Sequence, residues 1–114
     1  MPHARILGKE AEDRAARYLI EKGYTIVTRR YKARHGEIDL IALDGEILVF
    51  VEVKMRGKGG FLPESAIDER KQGHLRVAAE AYVESVGCEG SPLRYDMIAL
   101  QENEIRHYVG VFSG

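Results

Sequence analysis

Four ionisable side chains flank an Asp-Gly pair at two-residue spacing: Glu37 and Asp39 before it, Glu52 and Lys54 after it. Carboxylates gathered at one point hold hard divalent cations through oxygen, and an adjacent lysine can orient water or offset charge on a phosphate. The four lie within Gly36 to Arg56, GEIDLIALDGEILVFVEVKMR, which reads as two apolar strands joined by Asp44-Gly45. Such a pair is the strongest short-range hairpin signal, because both central residues of a type I′ turn need positive φ. Pairing Leu43 with Glu46 sets Asp39 opposite Phe50 and Glu37 opposite Glu52. Strand side chains alternate faces. Glu37, Asp39, Glu52 and Lys54 therefore share one face at the open end, with Asp39 and Glu52 diagonal neighbours in reach of one ion. That face continues inward as Ile41, Leu43, Leu48 and Phe50, and the other carries Ile38, Leu40, Ala42, Ile47, Val49, Val51 and Val53. A hairpin apolar on both faces is expected to be covered on both.

Three carboxylates at the edge of a buried sheet repel one another unless something organises them. Mg²⁺ or Mn²⁺ does so. A plain ion pair from Lys54 to Glu52 or Asp39, with Glu37 in solvent, is the simpler alternative. The convergence of all four groups on otherwise apolar strands favours a functional site.

Asp39 followed by Glu52-Val53-Lys54 at the end of the next apolar strand resembles the core of the PD-(D/E)XK nuclease superfamily. The longer strings Gly36-Glu37-Ile38-Asp39-Leu40-Ile41-Ala42 and Val49-Phe50-Val51-Glu52-Val53-Lys54 resemble the YraN-like (UPF0102-type) family of small bacterial proteins, similar in fold to Holliday-junction resolvases. The resemblance covers nearly the whole chain. It implies a restriction-endonuclease-like α/β fold with an αβββαβ core and metal-dependent cleavage of nucleic acid, DNA before RNA and branched DNA in particular. It also implies a symmetric homodimer. By the same resemblance Asp39, Glu52 and the Val53 carbonyl hold the metal, Lys54 assists the chemistry, Glu37 supplements the site and Glu12 adds a ligand.

The 114 residues suit one domain, and 45% hydrophobic residues suffice for a modest core. A single cysteine, Cys88, excludes an internal disulfide and a cysteine zinc cluster. The histidines His3, His35, His74 and His107 show no zinc spacing. No apolar run approaches a membrane span or a signal peptide, so the chain reads as cytoplasmic. A net charge of −1 provides no global attraction for nucleic acid.

Local charge is another matter. Arg29-Arg30-Tyr31-Lys32-Ala33-Arg34-His35 reads as a basic loop after a strand over Tyr24 to Arg30, immediately before the acidic strand. Four fixed positive charges and a tyrosine suit phosphate-backbone contact by Arg29, Arg30, Lys32 and Arg34. A solvated loop balancing nearby acids is the plainer reading. The family often has Asn at the place of Arg30. Beyond Lys54, Arg56 and Lys58 are further candidates for backbone contact, in a glycine-rich stretch that opens no helix and so is not a P-loop.

The outer elements follow from periodicity. Residues 4–22 read as a helix closed by Gly23. Its polar face holds Glu10, Arg14, Arg17 and Glu21, yet Glu12 falls among Gly8, Ala15, Ala16 and Leu19. A carboxylate there pairs with a base, answers the helix dipole or reaches a metal. Asp68 can cap a second helix over 69–86, ended by Gly87, with Leu75, Ala78, Ala79, Tyr82 and Val86 inward. Lys71-Gln72 in its first turns resembles the helix that approaches the site in the wider superfamily, which makes both candidates for nucleic-acid contact; an exposed helix face with Arg70, His74 and Arg76 is the plainer reading. Strands follow at Leu93 to Leu100 and Glu104 to Phe112, with Asp96 read as structural. Besides a nuclease, the pattern fits a non-catalytic nucleic-acid-binding module of the same fold, or a domain whose acidic end docks a basic protein.

Overall fold

The computed structural model describes residues 2–34, 36–55 and 67–113, with side chains from Lys9 onward. Seven elements follow in the order α1 (Pro2–Glu21), β1 (Thr25–Ala33), β2 (Gly36–Asp44), β3 (Ile47–Met55), α2 (Glu69–Val86), β4 (Leu93–Gln101) and β5 (Glu104–Phe112). The strands form one sheet in sequence order, β1-β2-β3-β4-β5. Pairing is antiparallel except between β3 and β4, where α2 lies on the connection. A mixed sheet carrying one helix in each of its two cores is an α/β arrangement, with the expected αβββαβ order followed by a fifth strand.

Each face of the sheet has its own core. Ala11, Ala15, Ala16 and Leu19 of α1 pack on Leu40, Ala42, Val49, Val51, Ile98 and Leu100. Leu75, Ala78, Ala79 and Tyr82 of α2 pack on Ile41, Leu48, Phe50, Tyr95 and Met97. The central hairpin is thus covered on both sides, as its two apolar faces require. Val86, assigned to the inward stripe of α2 by periodicity, is 52% exposed because the helix ends there. The α2 ends behave as their residues dictate: the Asp68 carboxylate accepts from the Lys71 N–H at 2.8 Å, and Gly87 takes the left-handed conformation at φ 72°.

The hairpin register differs from the expected one. Asp44 pairs with Ile47 and Leu43 with Leu48, leaving Gly45 and Glu46 as the turn. Only Gly45 has positive φ, 62°, which suits a type II′ turn with glycine at its first central position. Moving both strands by one position keeps the alternation of faces but takes Asp39 away from Phe50 and Glu37 away from Glu52.

Ile38 departs from the face shared by Leu40 and Ala42 and packs instead in the α2 core. Next to it on β1, Arg30 has a left-handed backbone at φ 52°, and it is the only non-glycine among the described residues to do so. Tyr31, paired with Ile38, also turns to the α2 core. The basic stretch is therefore strand rather than loop as far as Ala33. A second knot of contacts fixes β5. Asp96, 1% exposed, accepts from Arg94, from the Gly110 N–H at 3.0 Å and pairs with His107 Nε2 at 2.7 Å. Arg94 also reaches Asp44 and Tyr24, so Asp96 lies in a buried network that joins β4 to the β2–β3 turn and to β5. No described helix is long and apolar enough to cross a membrane.

Candidate active site

The β2–β3 ladder runs from the turn as far as Leu40 opposite Val51 and stops. Beyond it β2 continues against β1 to Gly36, and β3 continues against β4 to Met55. The two strands part, and Asp39 and Glu52 stand in the fork. In a continued ladder the Val53 N–H would seek a β2 carbonyl; here it donates to Asp39 Oδ2 at 2.8 Å. The Asp39 carboxyl also lies beside the Glu52 carboxyl, close enough to feel its charge. Two acids from different strands thus come together.

Burial sets their electrostatics. Glu52 is 4% exposed. Burial and the neighbouring Glu52 charge push the Asp39 carboxyl up to about 7, against the pull of the Val53 N–H, and the Glu12 charge pushes the same way. Near neutral pH the Asp39 carboxyl is therefore only partly ionised. Cations approach from two elements: Lys54 Nζ lies 3.6 Å and Lys71 Nζ 3.1 Å from Glu52 Oε2. Lys71, expected at a phosphate, is thus the closer partner of the acid.

The surrounding residues sort differently. Glu12 is 9% exposed, as its place on the small-residue side of α1 requires, and receives Arg30 Nε at 2.7 Å. That contact raises the Arg30 guanidinium above its ordinary value. Arg29 pairs with Asp13 of α1. Both arginines are thereby engaged by acids of α1 around a small cleft that Lys9 also lines. Glu37 is exposed and paired in register with exposed Lys32; Arg34 is exposed at the turn after β1. Gln72 turns away, donating to the Ile67 carbonyl at 2.9 Å and accepting from Arg76. Arg56 and Lys58 lie outside the described residues, as do His35 and the glycine stretch. What the sequence did not reveal is the strained backbone of Arg30 and the choice of Glu52 as the partner of Lys71. The family resemblance and the Asp68 cap, which fixes the first turn of α2, brought Lys71 toward the site without naming that partner.

Oxygen donors of this kind suit a hard cation. Among the described residues no three acidic, imidazole or thiol groups converge on one point. Mg²⁺ commonly takes one or two carboxylates and completes its shell with water and substrate phosphate, so two suffice. Burial is the main reason that Asp39 is pushed up, and the Glu52 and Glu12 charges that add to it are charges a cation would offset.

The sequence profile of the uncharacterised protein family UPF0102 matches residues 11–100, a span containing every described residue of the fork. The chain belongs to that family. It is 39% identical over 109 residues to a UPF0102 protein of Persephonella marina, covering 95% of this chain and 94% of that one. It is 45% identical over 101 residues to one of Rhodococcus jostii, covering 88% and 86%. A third, from Pseudothermotoga lettingae, is 43% identical over 100 residues, covering 88% and 92%.

Proposed function

We propose that this UPF0102 member is a Mg²⁺- or Mn²⁺-dependent nuclease that hydrolyses phosphodiester bonds, with DNA as its substrate class. The reading is carried by one observation: Asp39 and Glu52 meet at the opening between β2 and β3, beside Lys54. Asp39, Glu52 and the Val53 carbonyl are the groups that would hold the cation, with Glu12 as a further acid nearby and Glu37 at the rim. A bound cation supplies Lewis acidity toward water and charge compensation for the scissile phosphate. The protein's own share is positional. The buried fork fixes the two acids, and the Val53 N–H holds one Asp39 oxygen in place. Lys54, 38% exposed at its side chain, presents an ammonium that orients the attacking water or offsets developing negative charge. Lys32 and Arg34 are exposed bases of β1 and its turn suited to the phosphate backbone; Arg29, also exposed, and Arg30 must first leave Asp13 and Glu12.

The test is a cleavage assay with purified full-length protein on linear, flapped and four-way DNA in Mg²⁺ or Mn²⁺. Cutting that vanishes in Asp39→Asn and in Lys54→Ala supports the reading. DNA binding without cleavage under either metal would instead leave the non-catalytic module, and an absence of nucleic-acid affinity at low salt would leave neither.

A further inference from the structure

Glu52 Oε2 carries two ammonium groups, and the nearer one does not come from its own strand. Lys71 Nζ, from the first turn of α2, sits at 3.1 Å, within hydrogen-bonding distance; Lys54 Nζ sits at 3.6 Å. The carboxylate is 5% exposed at its side chain, whereas Lys71 is 42% exposed. An almost buried anion is thus held by a long side chain lying half in water. The backbone that places Lys71 is fixed: Asp68 caps its N–H, and β2 meets α2 closely at Gly36. The ammonium at the end of the stem is not fixed in the same way, since solvent surrounds much of it.

A divalent cation on Glu52 competes for the same oxygen lone pairs and would set further positive charge beside the ammonium. Repulsion at such separations in a partly buried site is strong. We infer that Lys71 is a positioning counter-ion: it holds Glu52 in the cation-free protein and must withdraw before a divalent cation can take that carboxylate. The inference rests on the fork being a cation site. It makes Lys71 an antagonist of cation binding, in contrast to a lysine that only stabilises the fold or touches substrate.

Titration of the full-length protein with Mn²⁺ by calorimetry, without DNA, tests this on wild type, Lys71→Met and Lys71→Arg. Lys71→Met is expected to bind Mn²⁺ about tenfold more tightly, and Lys71→Arg to stay near wild type. Urea unfolding of each variant checks that the fold is kept, and Lys71 is exposed enough for methionine to be accommodated. If wild type binds Mn²⁺ and Lys71→Met binds it no more tightly, the role assigned to Lys71 is wrong and the nuclease reading is untouched. If neither protein binds Mn²⁺, the fork is not a cation site and both readings fall.

Discussion

At the scale of single residues, the carboxyl of Asp39 has the most to say. Folding raises it from 3.8 to about 7, chiefly by burial. A group with a raised folded value contributes stability that is full below the unfolded value and is lost as pH climbs through the folded one. Without divalent cation, the wild-type protein should therefore weaken between about pH 4 and pH 7 through this group. Asn at this position is neutral throughout, can accept from the Val53 N–H and can donate to Glu52. Asp39→Asn should thus be more stable than wild type at pH 8 by at least about 1 kcal/mol, with the gap vanishing near pH 4. Urea unfolding across that range measures it. Saturating Mn²⁺ should close the gap at pH 8, because a ligand that binds only the folded wild type stabilises it by mass action.

At the scale of elements, β1 and β2 are shaped by two backbone positions. The left-handed Arg30 costs strain that glycine would not bear. Glycine ordinarily weakens a strand relative to alanine; here the order should invert. Both Arg30→Gly and Arg30→Ala lose the contact with Glu12, and the glycine variant should be the more stable by about 1 kcal/mol in denaturant unfolding. Asn also tolerates this conformation better than Ala does. Gly36 is demanding in another way. A Cβ there would lie 2.6 Å from the His74 carbonyl oxygen and 3.4 Å from the Ala78 Cβ. Gly36→Ala should force β2 away from α2, costing about 2 kcal/mol in the same measurement. Most of this level was legible in the sequence. Asp68, Gly87 and the spacing of Leu75, Ala78, Ala79 and Tyr82 specify α2, and the apolar runs about Gly45 specify the hairpin. The register was not legible, because Asp44-Gly45 and Gly45-Glu46 are both acceptable two-residue turns. Nor was the change of face at Ile38, which follows from backbone angles rather than from hydrophobic order. The pairing of faces survived the error, so Asp39 and Glu52 still fall beside one another.

At the scale of the molecule, one polar network ties the sheet's far side together. Arg94 and Asp96 on β4 join Asp44 at the β2–β3 turn, Tyr24 before β1 and His107 and Gly110 on β5. These long-range partners could not be read from local spacing; His107 in particular looked like one more isolated histidine. Removing the shared acid leaves buried donors unmatched. Asp96→Ala should therefore cost about 3 kcal/mol, more than the loss of any exposed ion pair such as Arg106–Glu104, as thermal or urea unfolding would record.

The two register shifts in the sheet fall on its outermost strands, one between Ile26 and Thr28 on β1 and one opposite Tyr95 and Met97, where β5 bows out around Gly110. A straight outer strand offers its bare amides and carbonyls to any passing chain. Here one border is bent and lined with Arg29, Arg30 and Lys32, and the other is interrupted midway, so neither offers a flat template for aggregation by strand addition.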